Sequence, residues 1–222
     1  MKTSLYFSIS ALILIISSCS DKTDYAIPTM GDYSIYEVEI GELSGICFNK
    51  ERTGFLACGD KGIIKSVSFD GEATDFWKNP SDMEGISIDP SNGDIYLAIE
   101  GKQEVHRISA PEYSEQKVLF AIKEAVDGQY KNSGLEAIEY YKKDIVFVGS
   151  QKQANLWKCK VNGKVLSKVS LSGFAAEIAG LCYDPEAEWL WVSDSKNAQI
   201  YICDIDGKLL ATYDIPFIDN AE

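Results

Sequence analysis

The chain has 222 residues, of which 45% are hydrophobic, 25% charged and 11% aromatic, proportions typical of a globular protein rich in strand-forming residues. Its 34 acidic and 21 basic side chains give a formal net charge of -13, so its surface repels phosphate backbones and no nucleic-acid partner is expected. A single histidine, His106, and the lack of a Cys-x-x-Cys pair among six cysteines exclude zinc fingers and most zinc hydrolases.

The first 18 residues have the features of a secretory signal. A lysine lies near the start, an apolar run covers 11–16, and Ser17 and Ser18 directly precede Cys19. Small residues before a cysteine are typical of a bacterial lipobox, in which the thiol carries the lipid after cleavage. We therefore predict a signal peptide over 1–18 and lipidation at Cys19. The alternative is an ordinary signal peptide followed by a chance cysteine.

The lipobox predicts where the protein is found. A lipid on Cys19 would anchor it to a membrane of the cell envelope, the outer membrane if the bacterium has one. Residues 19–32 are polar and lack an apolar period, which predicts a short tether. The five cysteines beyond this tether are an odd number within apolar strand patterns, so we expect them to fill the core and assign them no chemistry.

A five-residue pattern recurs four times and determines the predicted fold. Its fourth residue is glycine or alanine, at spacings of 40, 52 and 43 residues. Each copy is followed by strand patterns and turns that add up to four antiparallel strands, typical of a β-propeller blade with a period of about 40–50 residues. A β-sandwich would not explain why one pattern returns at the same place in each unit. The copies cover 42–46, 82–86, 134–138 and 177–181.

One further period beyond Gly180 leads to the last residues, where Ala221 and Glu222 match the start of a fifth copy. Ahead of the first copy, a strand over 33–40 has the position of an outermost strand and would close the ring on a fifth blade. The prediction is an all-β propeller over 33–222, with four four-stranded antiparallel blades present and a fifth truncated. We expect a monomer when the protein is full length.

The repeated Leu-Ser-Gly, Met-Glu-Gly, Leu-Glu-Ala, Ile-Ala-Gly and Ala-Glu series resembles the SdiA-regulated family of bacterial envelope proteins, over about 33–222. The resemblance implies a five-bladed propeller in which repeats two, three and five carry a carboxylate, and it implies no established biochemical activity. Ala137 and Ala179 depart from the Gly and Ser usual in that family. The matching residues are Ser44, Glu84, Glu136 and Glu222.

The carboxylates of the repeats predict a cation site. In an antiparallel hairpin the start of the first strand lies beside the end of the second, so acids at both places would meet at one mouth of the central channel. Gathered like charges need a compensating cation, and carboxylates at variable spacing suit Ca²⁺ before Mg²⁺. The alternative, that these acids cap backbone N–H groups or are solvated, stays open. The candidate ligands are Glu84, Glu136, Glu222, Asp60, Glu100 and Asp194.

The longest spacing, 52 residues, places an insertion of about ten residues before the third copy. It would overhang the same face, so Tyr130 and Asn132 join Ser44 as candidate ligand-binding residues, although length drift would explain the insertion equally well. His106 falls on a third strand, away from the channel, which argues against a Ser-His-Asp nucleophile.

Two functions are consistent with these features. The first is a lipid-anchored module that binds a small ligand or a protein across the channel mouth, supported by the lipobox, the propeller and the lack of a complete catalytic constellation. The second is a Ca²⁺-assisted hydrolase of phosphate esters or lactones, in which the ion would activate water.

Overall fold

The computed structural model describes residues 3–7, 26–29, 34–125 and 133–215. Its first two strands, β1 (Thr3–Phe7) and β2 (Ser34–Val38), pair antiparallel with each other. The remaining strands form four separate four-stranded antiparallel sheets. The predicted all-β propeller with four blades is thus confirmed.

Each blade is a simple up-and-down sheet with its strands in sequence order. Blade 1 contains β3 (Leu43–Phe48), β4 (Phe55–Gly59), β5 (Ile63–Val67) and β6 (Ala73–Lys78). Blade 2 contains β7 (Met83–Ile88), β8 (Ile95–Ile99), β9 (Glu104–Ile108) and β10 (Gln116–Ala121). Blade 3 contains β11 (Leu135–Lys142), β12 (Ile145–Ser150), β13 (Asn155–Lys160) and β14 (Val165–Ser170). Blade 4 contains β15 (Gly180–Asp184), β16 (Trp189–Asp194), β17 (Gln199–Asp204) and β18 (Leu209–Asp214).

The core consists of apolar layers between successive blades. One layer packs Leu56 and Ile64 of blade 1 against Ile86 of blade 2, and the two following layers join blade 2 to blade 3 and blade 3 to blade 4. Every residue of β4 and β8 is buried, because the second strand of a blade is covered on both faces. The outermost strand of blade 3, β14, is mostly exposed, as expected for a rim strand.

The inner strands of neighbouring blades approach each other at the small residue of the repeat. A Cβ atom on Gly45 would lie 3.0 Å from Cα of Gly85 in the next blade, and one on Gly85 would lie 3.0 Å from Cα of Ala137. A side chain at these positions would therefore meet the backbone of the next blade. The close approach explains why the repeat has glycine there in blades 1 and 2.

Within the described residues, blade 4 has one uncovered face. Trp191, Ile200 and Cys182 are half-exposed or exposed, whereas buried residues occupy the equivalent positions of blade 2, among them Tyr96 and Val105. The strand pattern expected to begin a fifth blade lies in 216–222, outside the described residues.

Two described stretches before the first repeat, 26–29 and 34–40, contact blade 4 and blade 1, and we call them together the strap. At one end of the strap the backbone carbonyl of Pro28 accepts a hydrogen bond from the Tyr213 hydroxyl of blade 4. At the other end Val38 and Ile40 are buried against the core of blade 1. The predicted closing strand is therefore present as β2, but it pairs with β1, which falls in the predicted signal peptide, rather than with a strand of a blade.

The insertion begins with a single 3₁₀ turn, Lys123–Ala125, and residues 126–132 lie outside the described part of the chain. Among the described residues, no helix has the length and apolar character needed to cross a membrane. The cysteines at 47, 58, 159, 182 and 203 are all unpaired.

Candidate functional site: the channel mouth

A cavity of about 360 Å³ lies where the inner strands of the four blades meet. All four repeats contribute equivalent residues to its wall, and the cavity extends along the uncovered face of blade 4 to Trp191 and Ile200. Within the described part of the chain, its lining is mostly apolar and contains two carboxylates, Glu84 and Glu136. An apolar pocket with a few polar groups is the usual form of a small-molecule site. The equivalent residues are Ser44, Glu84, Glu136 and Ala179.

A β-bulge determines where these side chains lie in three of the blades. The pairing of the first two strands slips between Leu43 and Gly45, and it slips at the same place in blades 2 and 3. Ser44, Glu84 and Glu136 are the bulged residues, at which the strand register slips by one position. Bulges redirect a side chain and are common beside binding sites.

Three carboxylates converge at the mouth between blades 1 and 3. One oxygen from each of Asp82, Glu84 and Glu100 lies within 4.8 Å of the other two, and all three residues are half-buried. Calcium ligands lie at about 2.3–2.6 Å from the ion, so oxygens this close together fit one Ca²⁺. The Oε1 atom of Glu100 also accepts a hydrogen bond of 3.0 Å from the Gly134 backbone N–H.

Two of the predicted ligands, Glu84 and Glu100, belong to this group, and the sequence reasoning did not include Asp82. Glu136 lines the neighbouring cavity instead. The signal for Asp82 was available, since it is the first residue of the second repeat, where the first and fourth repeats also have an acid.

Asp60 lies at the edge of this acidic region, on blade 1. Burial raises the pKa of its carboxyl group, and the nearby Glu42 and Asp82 carboxylates add to the rise. Its Oδ1 atom is buried and has no hydrogen-bond partner among the residues that the structure describes. Glu42 itself pairs with Lys61 at 2.7 Å, and this hydrogen bond lowers the pKa of Glu42. Asp60 thus has a less favourable environment for its charge than Glu42 does.

Asp194, also a predicted ligand, has a structural role in blade 4. It is fully buried and accepts hydrogen bonds from the Ala176 backbone N–H at 2.7 Å and the Asn197 backbone N–H at 3.0 Å. The side-chain amide of Asn197 donates a further bond of 2.9 Å to it. The Asp194 carboxylate therefore caps backbone N–H groups, which is the alternative to cation binding given in the sequence analysis.

His106 is buried on β9, where its ring nitrogens contact Glu104 at 2.8 Å and Gln116 at 2.6 Å. This placement agrees with the prediction that the histidine is distant from the channel. The remaining predicted site residues, Tyr130, Asn132, Glu222 and the lipidation site Cys19, lie outside the described residues.

Comparison with known proteins gives the fold and no family. No protein-family model matches the chain, and no curated protein does. A chain of a nidogen/laminin complex is similar in structure with a TM-score of 0.52 and 14% identity, over 78% of this chain and 80% of that one. Streptogramin B lyase is similar with a TM-score of 0.55 and 16% identity, over 82% of this chain and 58% of the lyase chain. At these identities the likeness shows the propeller fold alone.

Proposed function

We propose that this protein is a lipid-anchored envelope protein of the SdiA-regulated type, whose propeller binds a small ligand at the channel mouth. The observation that carries the proposal is the cavity of about 360 Å³, to which every repeat contributes the residue before its glycine or alanine. The four equivalent positions have the same backbone setting but not the same side chain: serine in blade 1, glutamate in blades 2 and 3, and alanine in blade 4. A frame of equivalent strands with dissimilar side chains at its mouth suits recognition of one asymmetric ligand.

The chemistry of the lining indicates the kind of ligand. Among the described residues, the charged groups in the wall are Glu84 and Glu136, both acidic, and the face of blade 4 adds the indole of Trp191. Carboxylates attract a cationic group, and an indole favours both apolar contact and a cation above its ring. The ligand class is therefore an organic cation with an apolar body.

Binding is tested with three probes of similar shape and different charge: benzylammonium, benzyl alcohol and benzoate. Binding is measured by calorimetry and by the fluorescence of Trp191, in a variant in which the other three tryptophans are replaced by phenylalanine. We expect benzylammonium to bind most tightly and Glu136→Gln to weaken it about tenfold, with Glu112→Gln, an exposed acid distant from the cavity, as the matched control. Equal affinity for the three probes, or no binding at all, would contradict the proposal.

Lipidation is tested separately, because the propeller can bind a ligand whether or not it is anchored. Cells that express the full-length protein are supplied with radioactive palmitate. We expect label in the wild-type protein and none in the Cys19→Ser variant. Unlabelled wild-type protein would contradict the anchor and leave the ligand proposal standing.

A second candidate function rests on the Asp82, Glu84 and Glu100 carboxylates, which fit one Ca²⁺. Such an ion would supply a Lewis acid and an activated water for hydrolysis of phosphate esters or lactones. Asp82 and Glu100 would hold the ion, and Glu84, which also lines the cavity, would face the ligand as well.

Calorimetric titration with Ca²⁺ tests this candidate. We expect binding by the wild-type protein and loss of it in Glu100→Gln, while Glu136→Gln, outside the group, keeps it. If Ca²⁺ binds, turnover of p-nitrophenyl phosphate and of a simple lactone, with and without chelator, decides whether the site is catalytic. Absence of Ca²⁺ binding would eliminate the hydrolase.

A further inference from the structure

The inner strands carry a second set of equivalent residues, two positions after the small residue of each repeat. Blades 1 and 4 have Cys47 and Cys182 there, blade 2 has Ser87, and blade 3 has Glu139. Residues two apart on a strand share a face, so this set lies on the face by which each inner strand meets the next blade. The Ser87 and Glu139 side chains make direct contacts across the blades.

Glu139 contacts the blade on either side of its own. From blade 2, the Ser87 hydroxyl donates a hydrogen bond of 2.8 Å to Oε2 of Glu139. From blade 4, the backbone N–H of Tyr183 donates one of 3.1 Å to Oε1. The Ser87 oxygen in turn accepts a bond of 2.9 Å from the backbone N–H of Tyr140. One carboxyl group therefore joins three consecutive blades.

These bonds satisfy backbone groups that the sheets leave unpaired. Strands β11 and β15 are the inner edges of their blades, and an edge strand has N–H groups with no partner in its own sheet. The Tyr140 and Tyr183 N–H groups are such donors, each paired with a side chain of the preceding blade. Side chains of this second set thus replace the strand-to-strand bonds that separate blades cannot form.

The Glu139 carboxyl group is poorly solvated, although the residue as a whole is half-buried. Burial raises its pKa to about 7, against the bonds from Ser87 and Tyr183 and the charge of Arg52, which lower it. The titratable groups that face it are the Cys47 thiol on β3, the Cys182 thiol on β15 and the Arg52 guanidinium in the turn after β3. Ser87 of β7 and Phe147 of β12 face it as uncharged groups.

We propose that Glu139 and Ser87 form a proton-sensitive clasp that holds blades 2, 3 and 4 together and makes the stability of the ring depend on pH near neutrality. In the ionised clasp, Ser87 donates to the carboxylate. In the protonated clasp, the carboxyl O–H donates to the Ser87 oxygen, which has a second lone pair beside the one that accepts from Tyr140. Both forms keep the blades connected, but the ionised form places a negative charge in a poorly solvated position.

The direction of the pH dependence follows from the two pKa values. An unfolded glutamate titrates near 4.5, and the folded one near 7, so between these values the folded protein keeps a proton that the unfolded chain has lost. The extra stability that this proton provides is fully present below pH 4.5 and decreases as the pH rises to about 7. Above that pH the contribution is lost and the stability no longer changes with pH. The full change corresponds to about two and a half orders of magnitude, roughly 300-fold, in the folding equilibrium.

The Glu139→Gln variant imitates the protonated clasp, because its amide NH₂ can donate to Ser87 while its carbonyl accepts from Tyr183. We compare its melting temperature with that of the wild type from pH 4.5 to 8, with Glu112→Gln, an exposed acid, as the control. The two proteins should melt together near pH 4.5, and the wild type should melt progressively lower than the variant towards pH 8. A difference that does not change with pH would overturn the proposal.

Two further measurements cover the case in which a variant fails to fold. In the wild-type protein, carbon-13 NMR of labelled glutamate carboxyls should show one group that titrates near 7, absent in Glu139→Gln. If every glutamate titrates near 4.5, the proposal is wrong. Glu139→Ala, which removes both bonds, should melt below Glu139→Gln at every pH, and equal melting of the two would show that the clasp does not hold the blades.

Discussion

Replacement of Gly85 by alanine tests whether contacts between inner strands hold the propeller together. The new Cβ would lie 2.8 Å from the Glu136 carbonyl oxygen, 2.9 Å from the Ile138 nitrogen and 3.0 Å from Cα of Ala137. All three atoms are backbone of blade 3 and cannot rotate away as a side chain could. Blade 2 must therefore move away from blade 3, which opens the apolar layer between them.

The size of the effect follows from two opposing contributions. Overpacking of a tight core costs about 1–3 kcal/mol, while the lower entropy of alanine in the unfolded chain returns about 0.4–1 kcal/mol. The net loss of unfolding free energy is about 1–2 kcal/mol. For a protein of this size each kcal/mol lowers Tm by about 2–4 °C, so Gly85→Ala should melt roughly 2–8 °C below the wild type.

Two alanine variants of other glycines serve as controls in the same calorimetric experiment. Gly180 has the same position in the repeat, yet its Cβ would meet only the Ser193 side chain, at 2.6 Å within its own blade. Gly173 has nothing within 4 Å. We expect a smaller loss for Gly180→Ala and no loss for Gly173→Ala. If Gly180→Ala lowers Tm as much as Gly85→Ala, the cost does not arise from contact between blades and the reasoning fails.

Asp194→Asn should lower the free energy of unfolding by about 1–3 kcal/mol, because a fully buried asparagine cannot accept every hydrogen bond that the carboxylate accepts. Urea denaturation would measure this loss, and an unchanged denaturation midpoint would contradict the structural role of Asp194. Trp157→Phe removes the indole N–H that donates a hydrogen bond of 3.0 Å to Glu124. This hydrogen bond is the main cause of the lowered pKa of the Glu124 carboxyl group. We expect the Glu124 pKa to rise towards 4.5 in an NMR titration, while no change would show that the hydrogen bond is not formed in solution.

The repeat was sufficient to predict the fold, because a pattern that returns with four strands per period leaves few architectures open. It also placed Glu84 and Glu100 at one mouth, since the pairing of β7 with β8 brings the two ends of that hairpin together. The same hairpin argument failed to distinguish Asp194, which has a structural role, from the acids at the channel mouth. The hydrogen-bond partners of Asp194 are in the turn that follows it and in the connection before β15. The role of a buried carboxylate depends on the hydrogen-bond donors around it, and the spacing of acidic residues along the sequence does not show where those donors lie.

Two features of the channel lay beyond sequence reasoning for a different reason. The bulges that redirect Ser44, Glu84 and Glu136 are slips of a single residue in the pairing, and the flanking residues give no separate signal for them. The Glu139 clasp joins residues that are 52 positions apart on one side and 44 on the other. Such contacts depend on how closely the blades pack, which is known only once the ring is assembled.

If the proposed lipid anchor holds the protein by its N-terminus, a pulling force acts on the strap. Force applied ahead of residue 26 reaches first the Pro28 carbonyl and its hydrogen bond to Tyr213, and only then the buried Val38 and Ile40. One hydrogen bond yields under a small load, whereas the side chains packed on blade 1 resist until the apolar layer shears. A pulled molecule would therefore lose its contact with blade 4, the Pro28–Tyr213 hydrogen bond, before the Val38 and Ile40 side chains leave the core of blade 1.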